Sequence, residues 1–326
     1  MRQGRIKIEG ERAVYHCMTK IVGGAFLLED REKEVLRKQL WKVAGFCGVE
    51  ILTYCLMDNH FHVLLRTPNE SEIKDLSDSD LLKRAACIYQ QDKVESISEM
   101  LTSEDIHVRE SYRANLKSRM GDVSQFMKIL KQRFSIWYNK SHNRTGTLWA
   151  ERFKSLLVED NSFALSTVAA YIDLNPVRAG IVSDPSMYRY SCYGEAMGGA
   201  KQARKAIRSL FNIGLSWNRA IEKYRVIVFG KGEHYNASRP ESSIEANKAR
   251  DIMNSGGKVS REEALRCRVR YFTDGAVLGS REFVQSYFES HRETFGAKRR
   301  DGPREMRGSD WGDLKCIRGL RREVFG

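Results

Sequence analysis

Hydrophobic positions along this chain keep two different periods, and the switches between them mark the elements. From Ala13 to Gly23 (AVYHCMTKIVG) β-branched and aromatic residues run together and stop at Gly23-Gly24, which predicts a first strand. From Asp30 to Ala44 the apolar residues Val35, Leu36, Leu40, Val43 and Ala44 recur at helical spacing among charges. Gly45 and Gly48 supply the stop, so this stretch predicts a helix with one buried face. Glu50 to Met57 is apolar again and ends at the turn signal Asp58-Asn59, after which His60 to Arg66 predicts the next strand.

Strand, helix and two strands joined by a tight turn form the first part of a ferredoxin-like antiparallel sheet with helices on one face, an α+β architecture. Pro68 to Gly121 breaks the pattern. It is polar, with Leu76, Leu81, Leu82, Ile88, Ile97 and Leu101 as scattered anchors, and predicts a helical insertion over about 69–121 whose acidic residues form a solvated face. A helical period returns from Val123 to Lys140, Ser155 to Val158 reads as a fourth strand, and after the cap Asn161-Ser162 a mostly apolar helix runs from Phe163 to Asn175, where Pro176 ends it. Beyond Gly198-Gly199 the composition shifts, which divides the chain into residues 1–199 and a basic, mainly helical domain over 200–326. In that second part Ser260 and Ser280 each open a capped helix, a helix-turn-helix is one arrangement the pattern allows, Gly230 to Ser255 reads as a linker, and Lys298-Arg299-Arg300 begins a basic tail.

Composition narrows the function classes. Hydrophobic residues make up 41% and charged residues 30% of 326, with 5 Pro, the profile of a folded chain. The net charge is +13, and residues 201–326 hold 27 Lys and Arg against 16 Asp and Glu, so the excess concentrates there. Such a surplus favours a polyanionic partner. No run of about 18 apolar residues and no apolar signal core follow Met1, so the expectation is a cytoplasmic protein with no membrane partner. The 7 cysteines are scattered without a C-x-x-C pair, which predicts reduced thiols and argues against a zinc knuckle.

The candidate chemistry lies in two places. On a strand, residues two apart project from the same face, so His60 and His62 stand side by side, the only close pair among 7 histidines and half of a metal site. On the helix from Phe163, Tyr171 and Asn175 stand four apart and share a face. Between them, Asn143 to Ser155 alternates cations with aromatics, a pattern suited to a nucleic-acid backbone with bases stacked on rings. Arg144, Trp149, Arg152 and Lys154 are its candidates for strand contact.

His60-Phe61-His62 resembles the His-hydrophobic-His signature of the single-tyrosine HUH nucleases, and Tyr171-Ile172-Asp173-Leu174-Asn175-Pro176-Val177-Arg178-Ala179-Gly180 resembles the nucleophile helix of REP-associated tyrosine transposases. The flanks Arg5 to Glu9 with Tyr15-His16, and Gly146 to Trp149 with Arg152 to Ser155, are similar to that family too, so the likeness covers roughly residues 5 to 195 in order. The resemblance implies a DNA transposase and single-strand endonuclease. In that role Tyr171 attacks a phosphate of single-stranded DNA near a hairpin, leaving a 5'-phosphotyrosyl enzyme and a 3'-hydroxyl, and a divalent ion, Mg2+ or Mn2+, is held by His60, His62 and Asn175. A homodimer is compatible with it. Two other readings stay open: a non-catalytic nucleic-acid-binding module, and a metal-dependent nuclease that uses water.

Overall fold

The computed structural model describes residues 6–211, 214–230, 251–252 and 255–317. Strand β1 (Ala13–Lys20) leads into helix α1 (Asp30–Cys47), then β2 (Glu50–Leu56) and β3 (His60–Thr67). Helix α1 runs through Gly45 and stops at Gly48, whose φ of 68° is the left-handed cap that a glycine adopts without strain. The insertion is helical: α2 (Glu70–Lys74), α3 (Asp78–Ala85), α4 (Gln91–Leu101) and α5 (Ile106–Lys117) bury Ile73, Leu81, Ile97, Leu101 and Leu116. Then come α6 (Val123–Ser141) and β4 (Lys154–Val158).

These strands lie in the order β2-β3-β1-β4, all antiparallel. Met18 stands opposite His62 and Lys20 opposite His60, while on the other side of β1 Met18 faces Lys154. Because side chains alternate, one face of the sheet collects His16, Met18, Lys20, His60, His62 and Lys154. The opposite face carries Tyr54 and Phe61, packed by Trp41 of α1 at 6.0 Å and by Trp149 at 5.7 Å between ring centroids.

The histidine face is covered as well, by α7 (Ser162–Asp173), which the short α8 (Asn175–Arg178) continues. The Thr53 hydroxyl of β2 donates to the Asp173 carboxyl at 3.0 Å, and the Tyr171 ring of α7 meets the His16 ring edge-on at 6.5 Å. The expectation of helices on one face is therefore corrected. The sequence of α7 is apolar nearly all round, and from Ala164 to Asp173 every residue is buried, so it cannot be a surface helix.

Asp173 is a junction. Beyond it the chain forms α9 (Cys192–Met197), α10 (Lys201–Ser209) and α11 (Trp217–Phe229). The Tyr224 hydroxyl of α11 donates to Asp173 at 2.5 Å and the Tyr193 amide of α9 at 3.3 Å. Burial pushes this carboxyl up to about 7, against the pull of its three donors.

The remainder consists of α12 (Arg261–Leu265), α13 (Arg270–Asp274), β5 (Val277–Gly279), α14 (Arg281–Ser290), β6 (Arg304–Glu305) and β7 (Lys315–Ile317). Ser260 and Ser280 cap α12 and α14 as expected, but α13 and β5 stand between those helices, and β5 pairs parallel with β4. Strands β7 and β6 follow, so the described sheet has seven strands in the order β2-β3-β1-β4-β5-β7-β6. The expectation of a mainly helical part over 200–326 did not include these strands, because each is only two or three residues long and pairs with partners distant in sequence. Where the expected basic tail begins, Arg299 is packed rather than free, over the Phe288 and Phe295 rings at 5.6 and 5.2 Å, and residues 318–326 lie outside the described residues. The linker expected at Gly230 to Ser255 lies mostly outside the described residues. Among the described residues no two cysteines are joined by a disulfide, and no described helix is long and apolar enough to cross a membrane.

Candidate active site

The histidine face and α7 enclose a cavity of about 340 Å³ lined by His60, His62, Tyr171, Asn175 and Arg178. Each side chain arrives there for a local reason. His60 and His62 occupy alternate positions on β3, which is held on both edges by β1 and β2. Tyr171 sits in the last turn of α7, and Asn175 opens α8 just past the break at Leu174, two residues before Pro176. The sharing of a helix face expected for Tyr171 and Asn175 thus survives the break, and both point into the one cavity.

Hydrogen bonds fix which atoms are presented. His62 Nδ1 lies 2.9 Å from His16 Nε2, and His60 Nδ1 lies 2.6 Å from the Asn59 side-chain oxygen, so each histidine has Nε2 available to the cavity. For His62 to present a lone pair on Nε2, its Nδ1 must carry the proton and donate it to His16. Burial pushes His16 down to about 3 and His60 down to about 4, and it lowers His62 as well. All three are therefore neutral at pH 7, the form in which imidazole binds metal. Asn175 Nδ2 donates to the Ile172 carbonyl at 3.0 Å, which turns Oδ1 into the atom offered to a ligand. Two imidazole nitrogens and one amide oxygen fit an ion that accepts mixed nitrogen and oxygen ligands with open positions, as Mg2+ or Mn2+ does. Among the described residues no group of three or more His, Cys, Asp or Glu is placed to hold a metal ion, so an ion here would rest on the two imidazoles and Asn175.

Tyr171 is 2% exposed. The Phe272 ring of α13 packs on it at 4.8 Å between centroids, and the Arg178 guanidinium lies over its face at 4.0 Å.

Comparison with known proteins adds little to this geometry. No family model matches the chain, and no curated protein matches it. Among solved structures, a REP-associated tyrosine transposase bound to a REP hairpin is similar, at 15% sequence identity, over 62% of this chain and 90% of that chain, with a TM-score of 0.35. At that score the chemistry of the site has to be argued from its own residues.

Not every residue expected at the site lies there. Arg152 and Lys154 line the cavity from the β4 side. Arg144 does not; its Nη2 donates to the Thr147 carbonyl within its own loop. Trp149 is a core residue, 8% exposed, with its indole N–H donating to the Lys131 carbonyl and its ring packed on Phe61 and Phe134. It offers no face for a base to stack on, so its expected role as a strand contact is corrected. The alternation of aromatics and cations there reflects a loop pinned to the core by its rings.

Other residues enter that the sequence did not single out. Lys20 lines the cavity from β1, Arg178 from α8, and Arg266 and Arg268 from the segment between α12 and α13. With Arg152 and Lys154 they make six cations around one cavity, against the two acids Glu151 and Asp274. A wall so biased focuses a positive potential on any anion that enters. Lys20 was open to discovery from its register opposite His60, whereas Arg266 and Arg268 come from a segment more than 200 positions away whose placement depends on tertiary packing.

Proposed function

We propose that this protein is a DNA strand transferase with single-strand endonuclease activity, built on a ferredoxin-like sheet and acting through a phosphotyrosyl intermediate. The observation that carries this is the convergence of Tyr171, His60, His62 and Asn175, from two separate elements, on one cavity walled by cations. The β-α-β-β-α-β order of the first four strands, with the insertion placed between β3 and α6, supports the same reading.

A phenol is a weak nucleophile at neutral pH unless its surroundings favour the developing charge. His60, His62 and Asn175 would hold a divalent cation, Mg2+ or Mn2+, which would supply Lewis acidity at the scissile phosphate. The chain's residues do the rest. Lys20, Arg152 and Lys154 bind the strand through its backbone charges and fix its register. The Tyr171 oxygen forms a bond to phosphorus, the bond from phosphorus to the 3' oxygen breaks, and the phenol proton ends on that oxygen as a 3'-hydroxyl. Attack of a 3'-hydroxyl on the tyrosyl linkage reverses the exchange and rejoins strands without ATP. A buried nucleophile in a narrow cavity suits a flexible single strand beside a hairpin better than a stacked duplex.

The test is incubation with labelled single-stranded hairpin oligonucleotides and Mg2+ or Mn2+, followed by denaturing electrophoresis. The expected result is a labelled band at protein size that Tyr171→Phe abolishes. Cleavage without that band would replace the proposal with a water-using nuclease, and metal-independent binding without cleavage would replace it with a non-catalytic module.

A further inference from the structure

Arg178 differs from the part-buried arginines that meet carboxylates. Arg66 meets the carboxylates of Glu50 and Asp160, Arg37 those of Glu34 and Glu195, and Arg113 those of Asp78 and Glu110. Among the described residues, the Arg178 guanidinium donates to two carbonyls instead, from Nη2 to Tyr171 at 2.7 Å and from Nη1 to Leu265 at 2.8 Å. Carbonyl oxygens satisfy its N–H groups without neutralising its charge. A guanidinium withdrawn from water is disfavoured unless an anion meets it, and burial indeed pushes the Arg178 pKa down with no carboxylate to pull it back.

Its position says which anion would. Its Cζ lies 4.0 Å from the centroid of the Tyr171 ring, and the side chain lines the same cavity as His60, His62 and Asn175. Both carbonyl bonds clamp the guanidinium plane, one from the residue that bears the phenol and one from the end of α12. A planar fork held on two sides is preorganised to receive oxygen atoms at its remaining N–H groups.

From this geometry, and resting on the phosphotyrosyl reading above, we infer that Arg178 is a second catalytic cation of strand exchange, one that contacts both the attacking tyrosine and the phosphodiester it attacks. As the bond from Tyr171 Oη to phosphorus forms and the bond to the 3' oxygen breaks, negative charge gathers on the non-bridging oxygens. A fixed cation on the tyrosine side offsets that charge without reorganising. The contact with Leu265 makes the segment after residue 255 part of the active site, and its Phe272 packs against the same Tyr171 ring at 4.8 Å.

The test compares wild type, Arg178→Ala, Arg178→Lys and Tyr171→Phe in single-turnover formation of the covalent adduct, alongside Mn2+ titration by electron paramagnetic resonance. Arg178→Ala is expected to slow adduct formation by about 10²- to 10³-fold, the range for removal of one fixed donor, with Mn2+ affinity unchanged. Guanidinium ion added to solution should restore part of the rate to Arg178→Ala and none to Tyr171→Phe. Arg178→Lys should fall between, since it keeps the charge and loses the fork. An Arg178→Ala rate equal to wild type would overturn the inference. So would an equal loss in Ala and Lys variants that guanidinium does not relieve, which marks a structural strut. Absence of adduct from the wild type itself would instead refute the phosphotyrosyl reading.

Discussion

Deleting the Tyr224 hydroxyl with Tyr224→Phe takes one of three donors away from Asp173, a carboxyl with 0% exposure at the end of α7. The cost depends on whether that carboxyl is charged. A hydrogen bond to a charged group contributes about 1.5–3 kcal/mol and one between neutral groups about 0.5–1.5 kcal/mol. Burial raises Asp173 from the ordinary 3.8 to about 7, so in the folded protein it is protonated at pH 5 and ionised at pH 8. Tyr224→Phe is therefore expected to lower stability by about 1 kcal/mol at pH 5 and about 2 kcal/mol at pH 8. The sign for the wild type follows from the same shift. Between 3.8 and about 7 the folded protein holds a proton that the unfolded chain has released, so the contribution of Asp173 to stability declines as pH rises through that window. Urea unfolding at both pH values, with the slope checked for constancy, measures the difference. An equal loss at pH 5 and pH 8 would show that Asp173 does not titrate between them and would refute the argument.

Three further outcomes are expected. His16→Ala removes the partner of His62 Nδ1 and should weaken Mn2+ binding about 10- to 100-fold, read by paramagnetic resonance; unchanged affinity would mean that His62 is oriented by packing alone. Trp149→Ala should cost about 3–5 kcal/mol in unfolding experiments, as large-to-small changes in a core do, and a well-folded variant with only DNA affinity reduced would restore Trp149 as a strand contact. Combined Arg152→Ala and Lys154→Ala should weaken oligonucleotide binding and flatten its salt dependence by roughly two charges' worth, and a slope equal to wild type would remove both from the strand path.

The elements nearest the chemistry were legible because their periodicity is strong. His60 to Arg66 was expected as a strand and β3 spans His60–Thr67; the helix expected from Val123 to Lys140 is Val123–Ser141. Strand alternation alone placed His60 and His62 on one face, and helical spacing brought Tyr171 and Asn175 to one side. His16 was harder to see. It belongs to the same sheet face through the antiparallel register of β1 against β3, a relation between strands that spacing within one strand does not encode. Trp149 misled because a ring that packs and a ring that stacks on a base look alike in sequence, and only burial separates them. Arg178 lay inside the quoted motif without a role, since its meaning comes from where Leu265 and the Tyr171 ring sit around it.

The parallel pairing of β4 with β5 joins Leu157 to Val277, so the sheet beside the cavity closes only when distant parts of the chain meet. Such non-local contacts demand the loop-closure entropy before they return any stabilisation, which makes them late events in folding. On a ribosome, the four antiparallel strands and α7 can assemble while the residues that carry Leu265, Arg268 and Phe272 are still unsynthesised. The tyrosine would then exist on a folded platform before Arg266, Arg268 and its aromatic cover were in place. The cavity would thus be completed last, and unfinished chains would lack part of its wall.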